Sequence, residues 1–386
     1  MVGIIIGIGG IVIGVIVACV IFSKQKTQTN EGQQHTDDRL EAIEQELKRF
    51  RESVSPTLDR NSPAVEPPDF DKVEKAFDEI LEKKGTINEG DLIRAGNIYY
   101  SKSNMTKAMQ YFELARDQAR LRNKKNVLAC AMGNIGNVQF VMGELRQALQ
   151  SHEEELQIER DIGNRRGEAA ALGNIGNIQS SDGDLDSALT SYKAALRIHR
   201  EINYPRGEAD NLGNIGLIHY ACGEFTEALK SLHQALKIDR EMGYRLGEAS
   251  DLGNIGLVER DRGDLDSAFR NHRDALEIYR QISHRLGEAN QLGNIGSIHF
   301  LMRDLERALE RHGEALQIHR EIPSPQGEAY DLANIGLVLE TRGDLSEALR
   351  NYRGALSILD LHGLIQGRDI IEDGIASIKK KKGSTQ

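Results

Sequence analysis

The sequence has no tryptophan, and its 386 residues include only seven prolines and three cysteines. Cys19, Cys130 and Cys222 lie far apart and form no C-x-x-C pair, so spacing supports neither a disulfide framework nor a cysteine zinc site. The 49 Lys+Arg against 59 Asp+Glu leave a net charge of −10, without the basic footprint that nucleic acid as a main partner requires. No H-E-x-x-H pair, phosphate loop or nucleophile elbow occurs, so the chain reads as a non-enzyme with no metal or cofactor. Glycine, in contrast, is abundant at 38 residues. In a helix-rich chain that excess needs a structural reason, because a mid-helix glycine costs about 1 kcal/mol relative to alanine.

One long uncharged run stands apart. Val2 to Phe22 would make roughly 31 Å of helix, about the hydrocarbon thickness of a bilayer. A cleavable signal peptide would have a basic start and a shorter apolar core. Ile16-Val17-Ala18-Cys19 resembles a lipoprotein cleavage box, which keeps lipidation at Cys19 open, yet Val20, Ile21 and Phe22 continue the apolar run beyond it. The expectation is a transmembrane anchor over 1–22. Lys24 and Lys26 follow the span, which places the body in the cytoplasm by the positive-inside bias. Gly3, Gly7, Gly10 and Gly14 form one helical stripe with two G-x-x-x-G pairs, a surface on which two spans can pack closely. Pairing as a homodimer there stands beside the plainer reading that glycine is common in membrane spans.

Residues 23–69 read as a polar stalk. Leu40, Ile43, Leu47, Phe50 and Val54 form a two-heptad seam, and Pro56, Pro63, Pro67 and Pro68 mark a stiff linker. Phe70, Val73, Phe77, Ile80 and Leu81 predict a capping helix over 70–88.

From 89 to 366 the chain repeats with a period of 40. Ala108, Ala148, Ala188, Ala228, Ala268, Ala308 and Ala348 are in strict register, as are Gly96, Gly136, Gly176, Gly216, Gly256, Gly296 and Gly336. Each unit predicts two helices. In the fifth, Leu252, Ile255, Gly256 and Val258 mark the buried face of the first. Gly263-Asp264 supplies a left-handed stop and an N-cap, and Leu265, Ala268, Phe269, His272, Ala275, Leu276 and Ile278 carry the second. Gly256 and Ala268 fall where bulk would hold the two helices apart. After the last unit, Ile370, Ile371, Ile375 and Ile378 predict a closing helix, with Lys379 to Lys382 as a basic tail within 367–386.

Glycine, alanine twelve later and a second alanine seven after that (Gly256, Ala268, Ala275) match the tetratricopeptide signature, although the usual unit has 34 residues. The Leu-Gly-Asn string at 172, 212, 252 and 292 is similar to the 40-residue repeats of the Leu-Gly-Asn (Pins) scaffolds and of kinesin light chains. The resemblance implies an all-α, tetratricopeptide-type solenoid of seven helix pairs behind one transmembrane helix, with an inner surface built from the first helices. It does not carry over a partner, since the C-terminal G-protein-binding motifs of the Pins family are not evident.

The asparagines suggest what such a surface does. With Leu252 at 0° on a helical wheel, Asn254 falls at about 200°, away from the core stripe. Its counterparts are Asn134, Asn174, Asn214, Asn294 and Asn334. A second row holds Asn97, Asn137 and Asn177 before changing to Leu217, Leu257, Ser297 and Leu337, and Phe140, Tyr220 and Phe300 lie near it. An Asn amide both donates and accepts, so it can pair with any peptide bond, and in families this chain resembles, Asn at this place grips a ligand backbone. The alternative is that these amides bond neighbouring helices and set repeat spacing. His152, His272 and His312 alternate with Phe112, Tyr192 and Tyr352 at one position and read as core filler rather than metal ligands. The Arg row at 160, 200, 240, 280 and 320 and the Glu row at 168, 208, 248, 288 and 328 read as offsets to helix dipoles.

The functional expectation is a membrane-anchored scaffold that binds an extended segment of an unidentified protein or peptide. A peptide-responsive receptor and a lipoprotein assembly factor outside the cytoplasm are the alternatives. The anchor is checked by the intact mass of membrane-extracted protein, which should retain residues 1–22. A mature chain beginning at Cys19, or a wholly soluble one, would overturn it.

Overall fold

The computed structural model describes residues 88–383, and every regular element among them is an α-helix. These residues divide into two compact units, 88–198 and 199–383. The first contains α1 (Glu89–Ser101), α2 (Met105–Leu121), α3 (Lys125–Val141), α4 (Leu145–Asp161), α5 (Arg165–Asp182) and most of α6 (Leu185–Glu201). The second runs through α7 (Pro205–Ala221), α8 (Phe225–Met242), α9 (Arg245–Arg262), α10 (Leu265–Gln281), α11 (Arg285–Leu301), α12 (Leu305–Glu321), α13 (Pro325–Arg342), α14 (Leu345–His362) and α15 (Arg368–Gly383). The first fourteen helices make seven pairs, and α15 packs on α14 and α13. The architecture is an all-α solenoid of fifteen described helices.

Local chemistry sets the helix ends. Asn104, Asn164, Asp184, Asp264 and Asp304 each accept a bond from the backbone N–H three residues on, at 3.1–3.2 Å, which satisfies one free donor of the helix start. The turn within each pair needs a left-handed residue: Gly143, Gly183, Gly223, Gly263 and Gly343 supply it in five pairs, and Ser103 and Arg303 adopt it at the same register position in the other two. Pro205 and Pro325 occupy the first helical turn, where a missing N–H removes no bond.

The glycine rows are receptacles for side chains. A Cβ on Gly136 would lie 2.6 Å from the His152 ring, on Gly176 2.7 Å from Tyr192, on Gly256 2.7 Å from His272, and on Gly336 2.9 Å from Tyr352. In every pair the residue sixteen positions on, in the second helix, presses into the space that the first-helix glycine leaves. The register alanines, from Ala108 to Ala348, are fully buried in the same contact. A second row, Gly167, Gly207, Gly247, Gly287 and Gly327, receives Glu159, His199, Asp239, Tyr279 and His319 from the preceding helix. The His152, His272 and His312 side chains are thus core filler, each at most 1 % exposed.

The Arg and Glu rows meet directly. Arg160–Glu168, Arg240–Glu248 and Arg280–Glu288 pair at 2.9 Å, and Arg200–Glu208 and Arg320–Glu328 at 2.7 Å. Arg165, Arg245 and Arg285 bind the same carboxylates from the other side. Each cluster clips a second helix to the next first helix across a short turn, a pairing that the dipole argument did not contain. Lys379 to Lys381 lie on α15 rather than in a free tail, and Lys381 Nζ is 2.7 Å from Glu340 Oε1. The α15 helix seats Ile371 and Ile378 in the core. No described helix is long and apolar enough to cross a membrane. The expected span over 2–22, the seam and linker, and all but the last residue of the 70–88 capping helix lie outside the described residues.

Two glycines in the second unit should respond oppositely to added bulk. Gly256→Val forces the His272 ring from its seat, and overpacking of this kind typically costs about 1–3 kcal/mol. Gly313, within α12, has nothing within 4 Å of a Cβ. Gly313→Ala should therefore gain roughly 0.5–1 kcal/mol from helix propensity. Thermal melts followed by circular dichroism check both: a lower midpoint for the first and a higher one for the second.

Candidate peptide-binding surface

The first helices of successive pairs touch one another directly: α1 with α3 in the first unit, and α7 with α9, α9 with α11 and α11 with α13 in the second. This contact is tight at Gly253, where a Cβ would be 3.0 Å from Gln291; at Gly213 and Gly293 a Cβ would meet Asp251 and Asp331 at the ordinary contact distances of 3.6 and 3.5 Å. The residue after each of these glycines is an asparagine of the ladder, so its position follows from the packing of first helix on first helix.

In the first unit Asn134, Asn137 and Asn174 are half-buried, and Asn97 and Asn177 are exposed. Asn134 Nδ2 approaches Cys130 Sγ at 3.7 Å, and Asn177 Oδ1 accepts the Tyr192 hydroxyl at 2.7 Å. In the second unit Asn214, Asn254, Asn294 and Asn334 are all half-buried. Among the described residues, none of these four, nor Asn97, Asn137 or Asn174, has a side-chain hydrogen-bond partner. Asn211 behaves differently: it is buried, and its Nδ2 reaches the Gly207 carbonyl at 2.7 Å and His199 Nδ1 at 3.0 Å. The chain therefore has asparagines that hold helices together, and the ladder is a separate set.

The aromatic neighbours divide. Phe140 is half-buried in the first unit. Phe300, in the second, lines a cavity of about 330 Å³ together with Leu301, Leu337, Asn334, Arg260 and Asp261. Tyr220 departs from its expected role: it is 6 % exposed, packs on Phe225 and donates its hydroxyl to Asp261. Burial, with that carboxylate beside it, pushes the phenol up to about 12. Leu257 is withdrawn in the same way at 6 % exposure, while Leu337 stays on the surface at 42 %. The apolar end of the surface thus consists of Phe300, Leu301 and Leu337, a set that only the packed positions of α9, α11 and α13 could show.

Among the described residues, no group of three or more His, Cys, Asp or Glu side chains could hold a metal ion. Burial pushes the Cys130 thiol up to about 11, so it stays protonated and poorly nucleophilic near neutral pH. Burial pulls His272 down to about 4, which keeps its ring neutral in the core.

The tetratricopeptide repeat model matches residues 127–201, 207–281 and 288–360, more than half of the chain, and the chain belongs to that family. No curated protein sequence matches it. Solved structures share the fold at low identity. The apo form of RapI is 14 % identical, with a TM-score of 0.58 over 70 % of this chain and 97 % of that one. A Rap protein complexed with competence and sporulation factor is 12 % identical, with a TM-score of 0.54 over 91 % and 100 %. The apo quorum sensor NprR from B. thuringiensis is 13 % identical, with a TM-score of 0.52 over 89 % and 99 %.

The two kinds of asparagine predict a contrast in stability. Replacing Asn254 and Asn294 together with Ala removes no internal bond, so the melting midpoint should hold. Asn211→Ala strips buried partners and should cost about 1–3 kcal/mol. A clear drop for the double variant would return these two amides to the scaffold.

Proposed function

We propose that this protein is a membrane-anchored, non-catalytic scaffold whose first helices bind an extended segment of a partner protein. The observation that carries the reading is the row of half-buried ladder amides without internal partners. Half-burial fixes each side chain in direction, and an unfilled amide can both donate to and accept from a peptide bond. Adjacent helices pack about 8–10 Å apart and an extended chain advances about 3.3 Å per residue, so one amide per pair meets roughly every third ligand residue. Phe300, Leu301 and Leu337 then offer an apolar seat for a ligand side chain. The anchor is residues 2–22, with the repeats on the cytoplasmic side, and pairing of two copies through Gly7 and Gly10 fits the same arrangement.

A second reading is a regulatory receptor that changes shape when a peptide binds. Its support is the fold shared with the Rap protein solved in complex with competence and sporulation factor and with the quorum sensor NprR. Hydrodynamic radius with and without ligand separates the two: a scaffold keeps its dimensions, whereas a receptor contracts or extends.

Capture of partners on residues 70–386, followed by mass spectrometry, identifies the ligand, and titration of the captured segment tests the surface. Each ladder bond is worth roughly 0.5–1.5 kcal/mol net. The Asn254→Ala, Asn294→Ala double variant should therefore bind about tenfold more weakly or worse. Unchanged affinity would remove the ladder from the site.

A further inference from the structure

Between each second helix and the following first helix, two buried positions twelve residues apart lie in one interface. In the second unit they hold His199 with Asn211, Asp239 with Asp251, Tyr279 with Gln291, and His319 with Asp331. In three of these joints the polar groups pair in part, with Asn211 Oδ1 and His319 Nε2 left without a bond. Asn211 Nδ2 lies 3.0 Å from His199 Nδ1, and His319 Nδ1 lies 2.7 Å from Asp331 Oδ2. The Tyr279 hydroxyl bonds Ser250 at 3.1 Å, and Gln291 Oε1 meets His272 Nδ1 at 2.7 Å. The joint between α8 and α9 brings two acids together instead.

Asp239 is 4 % exposed and Asp251 6 % exposed. Asp239 Oδ1 and Asp251 Oδ2 accept no hydrogen bond among the described residues. Gly247 makes room for Asp239, since a Cβ there would collide with its carboxylate. The charged and titratable groups around the pair are Arg206 and Asp210 from α7, Tyr244 from the turn, Glu248 from α9 and Tyr279 from α10. Arg206 offsets the burial of Asp239 only in part: it draws that carboxyl down, but its guanidinium stacks 3.5 Å from the Tyr244 ring centroid and approaches Asp210 at 3.5 Å, with no ion pair to Asp239 or Asp251 among the described residues. Glu248 is already bound by Arg240 and Arg245. An ionised carboxylate buried without a partner is costly, and a second one beside it more so; the neutral acid avoids both penalties.

We propose that Asp239 and Asp251 form a proton-operated latch on the α8–α9 joint, which packs tightly only while the pair retains a proton. Burial, followed by the neighbouring acids, pushes Asp239 up to about 6 and Asp251 up to about 9. In an unfolded segment both titrate near 4, so the closed joint binds protons that the opened one releases. The sign follows: the latch's contribution is complete below pH of about 4 and is lost as pH rises, first through about 6 and then through about 9. Near neutrality the pair retains about one proton. Asn214 on α7 and Asn254 on α9 flank this joint, so its opening disturbs their spacing. That consequence rests on the peptide-binding reading; the latch does not.

Hydrogen exchange on the full-length chain in detergent tests the latch without any ligand. Protection factors, corrected for intrinsic exchange, are compared between pH 5 and pH 9 for residues 243–254 and for residues 323–334 at the equivalent Asp331 joint. Residues 243–254 should lose at least about tenfold more protection than residues 323–334, since one unit of pKa difference already corresponds to tenfold. Asp251→Asn, which imitates the protonated acid, should shrink that difference to the part Asp239 alone carries, and Asp239→Asn with Asp251→Asn should remove it. Asp239→Asn gives the same readout should the first variant fail to fold. Equal losses at the two joints, or a variant that folds and keeps the wild-type difference, would overturn the proposal.

Discussion

The seating of one side chain against one glycine, repeated seven times, is the contact on which the remainder of the structure depends. Because the glycine has no Cβ, the ring or aliphatic group sixteen residues later enters the space beside the first-helix backbone. The residue may be Phe112, His152, Tyr192, Leu232 or Tyr352 without disturbing the register, since the receptacle is made of backbone and is the same each time. A tolerant contact of this kind explains how three histidines can occupy core positions in place of aromatic residues. It also fixes the rotation of each first helix about its axis. That rotation puts the ladder asparagine at a half-buried position instead of in the core or fully in solvent.

A second layer of contacts joins pair to pair. The Arg–Glu clips at the short turns are partly exposed, and individually such pairs contribute little. Their bidentate arrangement, with Arg240 and Arg245 on Glu248 for example, gives them direction more than strength. The glycines that receive Glu159, His199, Asp239, Tyr279 and His319 act alongside them. Here the occupants differ in polarity from joint to joint, so the joints are chemically individual although the pairs they connect are nearly identical.

Much of this was legible in the sequence because periodicity does not depend on tertiary detail. The 40-residue register, the two helices per unit, the left-handed stop at Gly263 and the Asp264 cap all follow from residue type and spacing. Gly256 and Ala268 could be recognised as a close contact, yet the partner of Gly256, His272, could not, because a wheel gives direction and no neighbour. For the same reason the Arg and Glu rows were visible as rows while their direct pairing was not. Tyr220 shows the limit most clearly. Its position matches those of Phe140 and Phe300, but Phe225 and Asp261 draw it inward, and no property of Tyr220 itself reveals them. The amides of Asn211 and Asn254 are indistinguishable by composition; only burial against His199 and Gly207 assigns the former to the scaffold.

The regularity of Asn214, Asn254, Asn294 and Asn334 has a consequence for how a bound chain would find its place. Identical handholds at equal intervals carry no address: a peptide shifted along them by one interval meets the same amides and forms the same bonds. A periodic row alone therefore permits sliding among several degenerate alignments, as a rack permits a pinion. The cavity beside Phe300 breaks that translational symmetry, because the withdrawn Tyr220 does not reproduce it at the corresponding place. Grip and alignment are thus assigned to different residues, with the amides supplying the first and one asymmetric apolar feature supplying the second.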